Sequence, residues 1–466
     1  MNTKITRKGF LGGVLAFGAA YPIFDVAASP RRPNLLVGIL SDPHTTSPAN
    51  LEYFRKSLRY FRDRGIDAVA IPGDFGNVAL HGELLRASDV WFDVFPNDRL
   101  PDGRKVERFF ISGNHDEDGW RYPLAKYHYR NTTNAESAFA FNRQKFWEEA
   151  WHEDYAPVFA KKIKGYWFVG RNWLPGRDYS ANPMPEWFKA NKGLLPKDRP
   201  FFYLQHEALA GATTHPDAGK LFKGKLWDGA DDGKMAAILS DFPNCIALTG
   251  HTHNSLSFDT GIWQGAFTSI DCGSTGANPF TRRGHENGHP HGKEMPMFDR
   301  RTQRQVLVMG VYDDRIVFER HCMLNDESLG EDWVVPFSTE KPYSDDGKKA
   351  SAAIPEFAAN DKVAVRRENG PDAKGNVHDQ IVITFPSVNG AVAPFARAFD
   401  YEVISLAMKR SWLVFSPQYC LAPNRDQGPV SCRLDAAGFP KGESLVFEVR
   451  PRDSLGRAGR AIRGYL

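Results

Sequence analysis

The sequence predicts an α/β fold followed by a second, smaller all-β sandwich. Three observations predict it. From Pro33 onward short apolar runs alternate with helix-patterned segments; several of those runs end in aspartate, asparagine or histidine; and beyond a polar stretch at Lys341 to Ser351 the pattern turns to strands alone. At 466 residues the chain exceeds the roughly 250–300 residues at which a single core stops growing, so more than one domain is expected.

The α/β part reads in order. "NLLVGILS" is a first strand, and "LEYFRKSLRYFRDRG" puts Leu51, Phe54, Leu58 and Phe61 on one helical face before stopping at Gly65. "IDAVAIPG" and "ERFFISG" follow as second and third strands. From Asp116 to about Arg199 the chain is rich in Trp, Tyr, Pro and Arg, with one internal strand at "GYWFVG", and reads as loops laid across the rim of a scaffold. The sheet resumes with "PFFYLQ", "CIALTG", "AFTSIDC" and "QVLVMGVY", the last paired with "RIVFER" in a hairpin turned by Asp313 and Asp314.

The expected organisation is an export segment at 1–28, an α/β domain at 33–325, a connecting segment at 326–370 and a β-sandwich module at 371–466. "DQIVITF", "FDYEVISLAM", "SWLVFSP" and "SLVFEVRP" are the strands of that module, whose patterning resembles fibronectin type III modules. Whether it binds a ligand or only packs on the first domain is left open by the sequence.

At the N-terminus, Lys4, Arg7 and Lys8 precede an apolar stretch from Phe10 to Phe24 and small residues at Val26, Ala27 and Ala28. That order is the one expected of an export signal cut behind Ala28. "TRKGFL" resembles a twin-arginine signal with Lys8 as the second basic residue, so a periplasmic or extracellular location is expected. Pro22 and Asp25 argue against a stable membrane span, and nothing later is long and apolar enough to be one.

Lys and Arg number 59 against 56 Asp and Glu, a net charge of +3 with no basic run, so no nucleic-acid-binding surface is evident. Of the five cysteines only Cys420 and Cys432 suit a disulfide, while Cys245 and Cys272 sit in apolar runs as buried thiols. Oligomeric state has no signature in the sequence.

Five strand-like runs end in residues that bind metals. They are "ILSDPH" with Asp42 and His44, "IPGDFGN" with Asp74, "FISGNHDED" with Asn114 and His115, "FYLQHE" with His206, and "LTGHTH" with His251 and His253. In open α/β sheets the carboxyl ends of strands share one crevice, so the five should converge. Singly each is as consistent with a cap, a turn or a structural histidine. Together they offer carboxylates, an amide oxygen and imidazoles, a donor set suited to Mn, Fe or Zn and larger than one tetrahedral ion needs.

The order Asp42-Pro43-His44, Gly73-Asp74, Gly113-Asn114-His115-Asp116, His206 and Gly250-His251-Thr252-His253 resembles the calcineurin-like metallophosphoesterase family. The resemblance implies a β-sandwich flanked by helices and hydrolysis of phosphate esters at a dinuclear metal centre that activates water. It implies Asp42, His44 and His253 on one ion, Asn114, His206 and His251 on the other, and Asp74 between them. His115 would face the substrate with Asp116 orienting its ring. Two departures are visible: "GDFGN" leaves Asn77 a supporting role, and Glu207 follows His206 where proline is often found.

The substrate expected is a small phosphorylated organic molecule, with a phosphodiester or nucleotide ahead of a sugar or lipid-headgroup monoester. Arg171, Asn172 and Arg177 in "GRNWLPGR" are candidate substrate contacts, and His285, His289 and His291 sit in a glycine-rich loop that reads as a solvated insertion. The alternative from another class is a cell-envelope carbohydrate-binding or structural protein with a vestigial phosphoesterase domain, against which the intact ligand set weighs.

Overall fold

The computed structural model describes residues 32–121, 138–213, 221–222, 225–226, 230–276, 304–351, 353–371, 375–388, 397–416, 428–442 and 444–466. Residues 1–28, expected as an export segment, the loop with His285, His289 and His291, and Cys420 lie outside the described residues.

The chain opens with β1 (Leu35–Ile39), α1 (Pro48–Arg64), β2 (Ala68–Pro72), α2 (His81–Val94), β3 (Glu107–Ile111), the single turn α3 (Asn114–Glu117) and α4 (Arg143–Trp151). β1, β2 and β3 are parallel neighbours, and their apolar runs are continuous because both faces of the sheet are covered. α1 shows how locally the sequence directs this. The Ser47 hydroxyl caps the N–H of Asn50 at 3.1 Å, Pro48 starts the helix, Phe54, Leu58 and Phe61 face inward, and Gly65 ends it at φ 67°.

Next come β4 (Val158–Ile163), β5 (Tyr166–Arg171), α5 (Met184–Asn191), β6 (Phe201–Leu204), the pair β7 (Leu221–Phe222) and β8 (Lys225–Leu226), α6 (Lys234–Leu239), β9 (Cys245–Thr249), β10 (Ile262–Gln264) and β11 (Thr268–Asp271). They build a second sheet ordered β10-β11-β9-β6-β5-β4. β12 (Gln305–Val311) and β13 (Arg315–Cys322) form the expected hairpin and return to the first sheet beside β1.

Alternation within each strand sorts side chains into layers. Val37, Ile39, Phe109 and Ile111 of the first sheet meet Phe168, Phe202, Leu204, Ile246 and Leu248 of the second in one core. The opposite face of the first sheet is covered by α1, α2 and α4 through Phe61, Trp91 and Trp151, and that of the second by α5 and α6 through Phe188 and Leu239. The result is a helix–sheet–sheet–helix sandwich.

The segment expected as a connector carries strands. β14 (Glu327–Ser328) and β15 (Trp333–Pro336) pair with β13 and extend the first sheet; α7 (Asp345–Ser351) follows; and β16 (Ala364–Pro371) is already part of the C-terminal sandwich. β16 has the polar sequence AVRRENGP because it is an edge strand whose exposed face pairs charges, as Arg367 does with Asp379 at 2.9 Å. An apolar-run criterion passes over such a strand.

The sandwich continues with β17 (Val377–Phe385), β18 (Asp400–Ser405), β19 (Arg410–Phe415), β20 (Val430–Asp435), β21 (Val446–Arg452) and β22 (Ile462–Tyr465). Sheets ordered β16-β17-β20 and β19-β18-β21-β22 enclose their own core around Ile381, Ile383, Tyr401, Val403, Phe447 and Val449. Among the described residues no helix is long and apolar enough to cross a membrane.

At Gly38 in β1 a Cβ atom would lie 2.5 Å from the Phe61 ring, so α1 rests directly on the strand. Gly38→Val should overpack this contact and lower unfolding stability by about 1–3 kcal/mol in urea titrations. An unchanged midpoint would show that the helix can move away.

Candidate metal centre

The five ligand-bearing segments converge at the carboxyl ends of β1, β2, β3, β6 and β9, which are mutually parallel within each sheet. Neighbouring ends are tied by backbone bonds: Asp42 N–H to Gly73 O at 3.1 Å, His44 N–H to Asp74 O at 3.1 Å, and Gly250 N–H to His206 O at 2.9 Å. After β1, β2 and β9 the backbone turns into the left-handed region: φ is 48° at Asp42, 44° at His44, 59° at Asp74, 67° at His251 and 53° at His253. Asp and His tolerate this region better than most residues, yet five such positions in one place store strain that the surroundings must hold. At Gly113 a Cβ would run into the Asp74 carboxylate, and at Gly250 into Ser41 and Asp42, so the loops approach as closely as they do only with glycine there.

Asp42 and Asp74 are both buried, and each uses its two oxygens differently. Asp42 Oδ2 accepts from Ser41 Oγ at 2.5 Å and His251 N–H at 3.1 Å; Asp74 Oδ1 accepts from His115 N–H at 2.8 Å. Among the described residues Asp42 Oδ1 and Asp74 Oδ2 have no hydrogen-bond partner. They face imidazole nitrogens instead: Asp42 Oδ1 lies 2.9 Å from His253 Nε2, and Asp74 Oδ2 lies 3.2 Å from His206 Nε2 and 3.8 Å from His44 Nε2.

The imidazoles are turned the same way. His44 Nδ1 lies 2.9 Å from Gly76 O and His206 Nδ1 2.6 Å from Pro72 O. A carbonyl only accepts, so each Nδ1 carries the hydrogen and the neutral ring presents an Nε2 lone pair to the cluster. Asn114 Oδ1 joins from the other side, 3.0 Å from His206 Nε2 and 2.8 Å from His251 Nδ1. Lone pairs aimed at lone pairs in a buried space need a cation or protons between them. Two sets can hold metal ions, Asp42, His44, Asp74 and His253 in one and Asp74, His206 and His251 in the other, with the donor atoms of each set within 4.8 Å of one another.

Electrostatics show the same demand. Burial alone would lower the His206 pKa, but Asp74 and Asp42 outweigh it and lift it to about 10. Burial and the neighbouring His115 push His44 down to about 3. Burial opposes ionisation of Asp74, yet His206, His115 and His44 hold its carboxyl well below the usual range. The pocket therefore favours negative carboxylates beside positive charge.

A family model of calcineurin-like phosphoesterases matches residues 35–255. Those residues form a calcineurin-like phosphoesterase domain. With two sets of metal-ligating side chains in that fold, the chain is a metal-dependent hydrolase. Among solved structures it is similar to a dimetal phosphatase from Danio rerio (12% identity, 66% of this chain and 100% of that one, TM-score 0.34). It is also similar to GAP50, the anchor in the inner membrane complex of Plasmodium (11% identity, 66% and 90%, TM-score 0.38), and to a purple acid phosphatase from yellow lupin seeds (13%, 65% and 55%, TM-score 0.43). No curated protein matches the sequence.

Within the phosphoesterase domain some side chains take other parts than expected. Asp116, expected to orient His115, is engaged by backbone groups. Its oxygens accept N–H bonds from Phe75 at 3.2 Å, Gly76 at 2.9 Å and Gly113 at 2.9 Å, so it ties the loop after β2 to the loop after β3. Burial, with Asp74 beside it, raises its pKa to about 8. The His115 ring is oriented by the Asn77 carbonyl, 2.7 Å from Nδ1, and stands edge-on to His44 at 4.9 Å.

Arg171 and Asn172, expected as substrate contacts, are buried in the protein and bonded to it. Arg171 is fully buried and pairs with Glu207 at 3.0 Å, which also accounts for the acidic residue after His206. The Asn172 amide bonds Ser112 N–H at 2.7 Å and Ala156 O at 2.8 Å, stitching β3 to the second sheet. Arg177 does stand at the rim, 3.4 Å from His251 Nε2 and over the Trp173 ring. Cys245 and Cys272 are buried, and burial raises both thiols.

Three buried acids that support the site were not legible beforehand. Glu117 accepts from Ser112 Oγ, Tyr155 and Arg143 and anchors α3; Glu83 holds the loop after β2 through the N–H groups of Asn77, Val78 and Leu80; Asp271 accepts from Thr252 and Asn254. The only sequence signal, an acid next to a motif, is shared by many surface residues.

Arg171→Ala would strand Glu207 in the interior and should destabilise the fold by about 3–5 kcal/mol, with KM for an aryl phosphate unchanged. A raised KM at undiminished stability would return Arg171 to the substrate.

Proposed function

We propose that the chain hydrolyses phosphate esters at a dinuclear metal centre, with a phosphodiester or nucleotide as the first choice of substrate and a sugar or lipid-headgroup monoester as the second. The observation that carries the reading is the pair of buried carboxylate oxygens, Asp42 Oδ1 and Asp74 Oδ2, that meet imidazole nitrogens and have no hydrogen-bond partner among the described residues. In this reading Asp42, His44 and His253 hold one ion, Asn114, His206 and His251 hold the other, and Asp74 is shared. When bound, two Mn, Fe or Zn ions would supply the positive charge that clamps phosphoryl oxygens and makes water nucleophilic near neutral pH.

The chain's own residues have further parts in the reaction. His115, held at Nδ1 by the Asn77 carbonyl, would pass a proton from Nε2 to the leaving oxygen. Arg177 on Trp173 would meet negative charge on the substrate beyond the reacting phosphoryl group. Asp116, Glu117 and Glu83 fix the loops, so that the donor atoms are in place before substrate arrives.

Two finer readings accompany this one. Export through a twin-arginine-like signal rests on residues 1–28, and mass spectrometry of secreted protein should find a chain starting after Ala28. The C-terminal module is an all-β sandwich of three plus four strands, and a fibronectin type III-like pattern is proposed for it from the sequence.

Elemental analysis of the native protein should give close to two transition-metal ions per chain, and Asp74→Asn should abolish turnover together with metal. One ion or none in an active enzyme would sink the scheme. His115→Asn should lower kcat by about 10²–10⁴-fold with metal content retained; loss of metal would make His115 a ligand. Rates on matched mono- and diesters with Mn, Fe and Zn should rank diesters first, and a monoester preference would select the second reading.

A further inference from the structure

The loop that carries His251 and His253 continues into a buried segment shared by both domains. Ser255, Leu256, Ser257, Phe258 and Asp259 are all at most 4% exposed. Its first half is held by the phosphoesterase domain. Asn254 Nδ2 donates to Asp271 at 3.0 Å, Leu256 N–H to Gln305 Oε1 at 2.7 Å, and Arg320 Nη1 to Leu256 O at 2.9 Å.

From Ser257 onward the partners change. Arg397 Nη2 donates to Ser257 O at 2.8 Å and lies 3.6 Å from Asp259 Oδ1. Ser454 Oγ donates to Asp259 Oδ2 at 2.6 Å, and Phe258 packs edge-on against Phe399 at 6.0 Å. Lys348 of α7, itself buried, donates to the carbonyls of Asp259 at 2.7 Å and Ile262 at 2.6 Å.

The three module residues belong to one rigid feature. Arg397 and Phe399 lead into β18 and Ser454 leaves β21, strands that pair directly. Their shared end is locked by the two-pronged Arg452–Asp400 pair at 2.7 and 2.8 Å and by Phe399 N–H to Arg452 O at 2.7 Å. A sandwich with its own core thus grips a segment that begins four residues after His253.

We propose that the C-terminal module positions the His251–His253 loop, and that Arg397 is its positioning residue, acting through the Ser257 carbonyl and Asp259. The functional meaning of this inference rests on the two-ion reading above. Two histidines two positions apart hold left-handed backbone, at a cost of roughly 1–2 kcal/mol each. Such a conformation persists where its surroundings over-determine it. The phosphoesterase domain fixes residues 254–256, and the module fixes 257–259, so the exit direction of the loop is set from both sides. His253 is nearer the grip than His251, so the ion set with Asp42 and His44 should feel its loss first.

The test uses the full chain stripped of metal with a chelator. In Arg397→Ala, amide exchange over residues 251–259 should speed up while peptides from β17 and β20 keep their wild-type rates. Calorimetric titration with Mn²⁺ should show one of two affinities reduced by about tenfold, or about 1.4 kcal/mol. That affinity should be the one abolished by His253→Ala, with the affinity abolished by His206→Ala kept. Arg397→Lys should fall between wild type and alanine. Arg463→Ala, which breaks an exposed module pair with Glu448, should change neither readout. Unchanged exchange over 251–259, or unchanged affinities in a folded Arg397→Ala chain, would overturn the proposal. If Arg397→Ala unfolds the module, Arg397→Lys and Ser454→Ala decide by the same two readouts. A wild-type chain that binds fewer than two Mn²⁺ ions would sink the two-ion reading, while the exchange measurement still decides whether the module holds the loop.

Discussion

Two buried carboxylates that turn one oxygen each toward a common, imidazole-lined space are the constraint on which the rest of the structure depends. With donor atoms within 4.8 Å in a partly desolvated pocket, Asp42 and Asp74 repel each other by on the order of 3 kcal/mol at an effective dielectric of 20. Their burial adds a further cost. Among the described residues no hydrogen bond on the inward oxygens meets either cost. It falls to positive charge, supplied by protonated imidazole such as His206 or by metal ions, and the second suits four imidazoles, two of which are fixed as Nδ1–H tautomers by carbonyl groups.

Such an arrangement does not form from relaxed backbone. The left-handed turns at Asp42, His44, Asp74, His251 and His253 aim side chains into the crevice rather than along the strand faces. The glycines at 113 and 250 let the loops close to contact distance. What holds them is largely invisible from the crevice: Asp116 accepting three backbone N–H groups from two loops, Glu117 under α3, and Glu83 under the loop after β2. Each is a buried acid satisfied by several donors, which ties a rigid link between segments far apart in the chain.

The second domain enters through the same logic. Its sandwich has an independent core, yet Arg397, Phe399 and Ser454 meet the segment that leaves the histidine loop. An apolar ring contact beside a buried, doubly bonded carboxylate is the character of a fixed interface rather than a flexible tether. The sequence left open whether this module binds or packs; these contacts are packing contacts, and they lie next to the site.

The sequence by itself determined which side chains the crevice contains. Five strand ends with Asp42, His44, Asp74, Asn114, His206, His251 and His253 were legible because strand length, glycine stops and residue type are local properties, and because parallel strands in one sheet bring their carboxyl ends together. Only the tertiary structure decided how those and neighbouring residues are used. Arg171 looks like an anion contact until β5 and β6 lie side by side and Glu207 meets it inside the protein. Asp116 looks like a partner for the adjacent histidine until the loops after β2 and β3 close around it, leaving the Asn77 carbonyl to orient His115. β16 looks like linker until β17 pairs with its polar edge. In each case the deciding partner is remote in the chain, and no local pattern of hydrophobicity or spacing carries the identity of a remote partner.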